Sequence, residues 1–107
     1  MVVVLFRNRP KQTRSSDDYN QIAGRMLHLV SKMPGFVSLD VFNNDGGETL
    51  IFAQFESDEA VVQWREHEEH KAAQGRRNEL YEQYTVQVCN VIREYGWQRD
   101  SEKESPA

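Results

Sequence analysis

Two runs of β-forming residues, Phe36 to Phe42 and Thr49 to Phe55, flank Asn43-Asn44-Asp45-Gly46-Gly47, and no other stretch constrains the fold as much. Glycines and amides tolerate the positive φ of a tight reversal, whereas aromatic and β-branched residues favour extended backbone, so the segment reads as a hairpin. Its strands need neighbours. Val2 to Arg9 is a β-branched run that Pro10 prevents from continuing as a central strand. Thr85 to Tyr95 returns to period two through Val86, Val88 and Ile92.

Helical spacing fills the intervals. Tyr19, Ile22, Ala23, Met26, Val30 and Met33 recur at three- and four-residue steps behind Ser15-Ser16-Asp17-Asp18, which offers a cap and first-turn anions, and Pro34-Gly35 stops that helix. Ser57-Asp58-Glu59 opens a second helical region running toward Tyr84. Its apolar positions do not keep one phase: Ala60, Val61 and Trp64 mark one stripe, while Ala73, Leu80, Tyr81 and Tyr84 mark another that is rotated from it. A break is therefore expected near Arg65 to Glu69, with Glu68 and Glu69 suited to the start of the second piece.

The order βαββαβ is the ferredoxin-like α+β arrangement, an antiparallel four-stranded sheet with two helices on one face. Val2 to Phe6, and Leu50, Ile51, Phe52, Ala53 and Phe55, are apolar on both sides of the pleat, so the second face also needs a cover. A second copy is the expected cover, giving a homodimer packed sheet to sheet. Residues 1–96 are expected to form the domain and residues 97–107 a polar tail.

A chain of 107 residues is about one domain, and 13 basic against 17 acidic residues leave a net charge of −4. That balance argues against nucleic acid and anionic membrane surfaces as partners. Val2 to Phe6 is followed at once by Arg7, too short a run for a signal-peptide core or a membrane span, so a cytoplasmic location is expected. The single cysteine, Cys89, reads as a small core or interface side chain in a reducing compartment.

Residues 64 to 74, Trp-Arg-Glu-His-Glu-Glu-His-Lys-Ala-Ala-Gln, suggest a metal site at first. The zinc-protease pattern needs histidines four apart on a helix, and His67 and His70 are three apart with no third ligand placed nearby, so no metal is expected. Extending the second stripe backwards puts His70 on the inner face with Arg77 and Tyr81, and leaves His67 at the break. The plainer reading of either histidine is a half-buried ring with an ordinary hydrogen bond, and of Trp64 a core aromatic. In the first strand Asn8 is the polar end of the face made by Val2, Val4 and Phe6. It reads equally as a strand-end residue bonded to the adjacent loop.

Trp64-x-x-His67-x-x-His70-Lys71-Ala72-Ala73-Gln74 after the Glu56-Ser57-Asp58-Glu59-Ala60 helix start, then Tyr81-x-x-Tyr84-x-Val86-x-Val88, resembles the antibiotic biosynthesis monooxygenase domain family over roughly residues 2 to 95. The resemblance implies a dimeric α+β barrel. The family it resembles includes monooxygenases of quinols or polyketides that work without metal or flavin, haem-degrading monooxygenases, and many proteins with no established activity. Asn8-Arg9 and Trp64 match the haem-degrading branch, but the histidine that ligates iron there follows a Lys-Ala-Ala run, and here Lys71-Ala72-Ala73 leads to Gln74. Glutamine is a poor iron ligand beside imidazole.

The leading expectation is thus an oxidoreductase that oxidises a small phenol or hydroquinone with molecular oxygen and no cofactor. His70 is the expected base, Asn8 the clamp on the phenolic oxygen and Trp64 the aromatic wall. His67, Gln74, Arg77 and Tyr81 line the expected substrate pocket. The alternatives are a haem-degrading protein and a non-catalytic dimeric domain that binds a small ligand. Arg7, Arg9, Lys11 and Arg14 form a basic cluster at the end of the first strand and its loop, whose commoner reading is a solvated surface.

Overall fold

The computed structural model describes residues 1–11 and 16–99, without the side chains of residues 16–19. The cap residues Ser15 to Asp18, Tyr19 of the helical stripe, Arg14 of the basic cluster and residues 100–107 of the tail lie, wholly or in their side chains, outside the described residues. In chain order the elements are β1 (Val2–Pro10), α1 (Ser16–Val30), β2 (Phe36–Asn43), β3 (Thr49–Phe55), α2 (Asp58–Arg65), α3 (Glu68–Gln74), α4 (Arg77–Leu80) and β4 (Tyr81–Asn90). The strands form one antiparallel sheet in the order β2-β3-β1-β4, the ferredoxin-like topology.

Register assigns the faces. Val2 pairs with Phe55 and Val4 with Ala53, and Leu39 and Phe36 of β2 align with the same β3 residues. These side chains pack with Val30 of α1 and with Ala60, Val61 and Trp64 of α2 in one core. Both helical connections therefore lie on the same face. The buried stripe of α1 runs through Ile22, Met26, Leu29 and Val30 and on to Met33, whereas Ala23, expected within it, is exposed. Ala23 sits beside the stripe, and a methyl group there gains nothing from the sheet. The opposite face carries Leu5, Leu50 and Phe52, half-buried, and Phe42, exposed.

Two glycines make the turns possible. Gly47, at φ +86°, closes the hairpin with Asn44, whose Oδ1 accepts from Glu48 N at 2.9 Å. Gly35, at φ +83°, ends the α1–β2 connection so close to α2 that an added Cβ would lie 2.7 Å from Ala60 Cβ. Its carbonyl also accepts from Glu56 N at 2.8 Å.

The second helical region is divided as its phase shift requires. Ser57 caps α2 by accepting from Ala60 N at 3.2 Å, and α3 starts with Glu68 and Glu69 in its first turn. A second interruption at Gly75–Arg76 precedes α4. The region ends at Leu80 rather than near Tyr84, and the last strand spans Tyr81–Asn90 rather than Thr85 to Tyr95. The reason is pairing: Pro10 aligns with Tyr81 and Val2 with Asn90, so β1 sets both ends of β4. Among the described residues, no helix is long and apolar enough to cross a membrane.

Candidate functional site

Asn8 occupies the last helix-facing position of β1, beside Phe6 and across from Tyr84 and Thr49. Its side chain is 1% exposed, and neither its Nδ2 nor its Oδ1 has a hydrogen-bond partner among the described residues. An orphaned buried amide costs roughly 1–3 kcal/mol, so this polar group stands out in an apolar setting. Around it Phe6 meets Tyr81 and Tyr84 at ring centroid distances of 5.3 and 5.9 Å. Arg77, the first residue of α4, lays its guanidinium 5.4 Å from the Phe6 ring and 5.0 Å from the Tyr84 ring. These contacts place α4 over this end of the sheet.

A second cluster forms where α2 gives way to α3. The His70 ring stacks on Trp64 with centroids 4.2 Å apart and planes 11° from parallel. Its Nδ1 lies 3.0 Å from the Trp64 carbonyl oxygen. A carbonyl can only accept, so in the neutral ring Nδ1 carries the hydrogen and Nε2 keeps a free lone pair. Gln74 Nε2 is 3.3 Å from the same Nδ1 and donates to the Arg65 carbonyl at 3.4 Å. Since the Nδ1 hydrogen is committed to Trp64, the first of these is a close contact. Burial, chiefly, and then the charges of Arg77 and His67 push the His70 pKa below its usual 6.5, opposed by the bond to Trp64.

His67 has a different task. Its Nδ1 accepts from Glu69 N at 3.2 Å and so caps α3, while its ring stays 5.8 Å from that of Trp64. Glu69 reaches across to α1, where Arg25 grips it in two bonds of 2.8 and 2.7 Å and holds its carboxyl below the ordinary glutamate range. A groove of about 280 Å³ opens beside this pair, lined by Ile22, Met26, Ala72 and Ala73 among others.

The structure thus joins Trp64, His67, His70 and Gln74 in one cluster, and Arg77 and Tyr81 in another beside Asn8. Arg77 links them, because its charge is felt at His70. Tyr81 belongs to β4 and not to a helix. Phe6 and Tyr84 are additions to the candidate set. Phe6 shares the alternating face that singled out Asn8, so its signal was present; Tyr84 needed the β1–β4 register.

A family model for antibiotic biosynthesis monooxygenase matches residues 1–76. The chain belongs to the antibiotic biosynthesis monooxygenase family. The matched region runs from β1 through α3 and contains Asn8, Trp64, His67, His70 and Gln74 of this antibiotic biosynthesis monooxygenase domain, and ends just before Arg77. The uncharacterized protein YqjZ of Bacillus subtilis (strain 168) is 30% identical over 91 residues, 84% of this chain and 80% of that one. Among solved structures, Rv0793 from Mycobacterium tuberculosis superposes with a TM-score of 0.77 at 22% identity, over 89% of this chain and 98% of that one. SnoaB of Streptomyces nogalater, a cofactor-independent oxygenase, gives a TM-score of 0.72 at 10% identity, over 87% of this chain and 94% of its own. At these identities the two structures speak to the fold.

The donor set does not fit haem as the haem-degrading branch would hold it. Gln74 stands at the ligand position, and its amide nitrogen is directed to the Arg65 carbonyl. Among the described residues, no three histidine, cysteine or acidic side chains cluster as metal ligands.

Proposed function

We propose that this antibiotic biosynthesis monooxygenase domain oxidises a small phenol or hydroquinone with molecular oxygen, using the substrate's own electrons and no cofactor. The observation that carries the reading is the Asn8 amide, buried and unpartnered on a face otherwise made of aromatic and aliphatic groups. A phenolic oxygen supplies both the acceptor and, when protonated, the donor that this amide lacks.

In this reading His70 Nε2 takes the phenolic proton. The resulting phenolate transfers one electron to oxygen, and the aryloxyl radical and superoxide combine to form a carbon–oxygen bond on the ring. The peroxide takes up a proton and its O–O bond breaks as the ring carbon gives up its hydrogen as a proton. One oxygen atom stays as a quinone carbonyl and the other leaves as water. Trp64 braces the base, Asn8 holds the oxygen, and Phe6, Tyr81, Tyr84 and Arg77 bound the ring. His67 and Gln74 keep α3 and the imidazole in place. Asn8 is enclosed, so in this reading substrate enters by a shift of α4, whose Arg77 lies against Phe6 and Tyr84, about the interruption at Gly75–Arg76.

The functional unit in this reading is a cytoplasmic homodimer packed through the open sheet face. Its Leu5, Leu50 and Phe52 offer apolar surface to a second copy. Oxygen uptake with a panel of phenols and hydroquinones, alone and with haem plus reductant, tests the chemistry. Turnover without haem that disappears in the Asn8→Ala/His70→Gln variant is the expected result. Binding without oxygen uptake would instead mark a ligand-binding domain, and uptake only with haem would mark the haem branch.

A further inference from the structure

Arg25, Arg65 and Arg76 each meet a glutamate, at 2.7, 3.5 and 3.2 Å. Arg77 differs from them. It is half-buried, yet among the described residues no carboxylate pairs with it and no acceptor takes its side-chain N–H groups. Its guanidinium lies instead 5.4 Å from the Phe6 ring and 5.0 Å from the Tyr84 ring. An aromatic ring attracts a guanidinium but offers no oxygen to its planar fork of donors. A cation partly removed from water in this way is short of a counter-ion.

The same two rings bound Asn8. Phe6 precedes it by two residues on one face of β1, and Tyr84 is its partner on β4. This end of the sheet therefore presents two unmet polar groups over aromatic surface, an amide suited to a phenolic oxygen and a cation suited to an anion. The net charge of −4 gives the chain no general attraction for anions, so selection of one falls to a local cation. A carboxylate is planar and takes a guanidinium in two parallel bonds. Its one charge balances a single arginine, whereas a phosphate carries closer to two.

We propose that Arg77 determines specificity and that the substrate is a phenol or hydroquinone bearing a carboxylate, its hydroxyl at the Asn8 amide and its carboxylate at the Arg77 guanidinium. This rests on the reading of the site as a phenol oxygenase and names the substrate class. The carboxylate takes no part in the oxidation and is kept in the product. The anion also offsets the positive charge that Arg77 exerts on His70, so the base meets its substrate in a more balanced field.

The test compares two hydroquinones of nearly the same shape, 2,5-dihydroxybenzoate and its neutral amide, by oxygen uptake. A second pair, 3-hydroxybenzoate and its amide, is titrated calorimetrically without oxygen, so that binding is read apart from turnover. Wild type is expected to favour the acid about tenfold or more in kcat/KM and in binding, the difference made by a charge-assisted hydrogen bond. Arg77→Met should abolish that ratio and Arg77→Lys keep part of it. Oxygen uptake that is equal for acid and amide in the wild type overturns the proposal and leaves the phenol oxygenase standing, whether or not the variants fold. A preference for the acid that persists in Arg77→Met overturns the assignment to Arg77. No uptake with either hydroquinone, together with Arg77-dependent binding of 3-hydroxybenzoate, overturns the oxygenase and leaves a carboxylate-binding site. Neither uptake nor binding overturns both.

Discussion

His70 is held by Trp64 in two ways, its face on the indole at 4.2 Å and its Nδ1 against the Trp64 carbonyl at 3.0 Å. A ring fixed by face and edge presents its remaining nitrogen in one direction. Replacing His70 by Gln is expected to lower kcat by about 10²–10⁴, the range of a general base, with a much smaller change in KM. Steady-state oxygen uptake measures this, and wild-type turnover in the variant would remove His70 from the chemistry.

The lowered His70 pKa sets a pH dependence with a definite sign. Between the folded value and 6.5 the unfolded chain binds this proton more readily, so stability rises with pH across that window. The contribution is fully present above 6.5 and is lost as pH falls through the folded value. Urea titrations at several pH values should show the gap between wild type and His70→Gln narrowing only below about pH 6.5. Arg77→Met removes a charge that opposes protonation and should move the acid limb of activity upward; an unmoved or lowered limb contradicts the coupling.

Asn8→Leu exchanges an orphaned amide for an apolar side chain of similar size. The variant is expected to be more stable by about 1–2 kcal/mol while losing turnover, a stability gain at the expense of function. Denaturant midpoints and oxygen uptake on the same sample check both halves. A destabilised variant would mean that the amide has a structural partner.

Gly35→Ala meets two obstacles, a φ of +83° and a contact of 2.7 Å with Ala60 Cβ. A loss of about 1–3 kcal/mol is expected. Ala60→Gly removes the collision but not the backbone strain, so the double variant should recover part of the loss, a coupling that a double-mutant cycle measures.

His67 is assigned to the cap of α3 rather than to catalysis. His67→Ala should cost about 1 kcal/mol, while His67→Asp, which also accepts from a helix N-terminus, should restore stability and turnover together. Failure of Asp to rescue turnover would return His67 to the chemistry.

Several of these features were legible in the residues themselves. The hairpin follows from Asn43 to Gly47, the break between α2 and α3 from the shift of stripe after Trp64, and the face that Asn8 shares with Val2, Val4 and Phe6 from alternation, although that this face meets the helices came from the packing. Local rules suffice there because each depends on neighbours within a few residues. They failed at Tyr81, which has helical spacing from Ala73 and Arg77 yet starts a strand, since pairing with β1 outweighs a weak helical pattern. Similarly, His67 and His70 have the same side chain, and only their positions at and beyond the break make one a cap and the other a stacked ring.

By itself the sequence determined the order of elements, the faces of its strands and the point where the second helix breaks, because periodicity and turn chemistry act over a few residues. Only the tertiary structure decided that Tyr84 stands across from Asn8, that Arg77 covers both Phe6 and Tyr84, and that the segment after Asn90 is left exposed. Those relationships rest on the register between strands more than seventy residues apart, which no local pattern encodes.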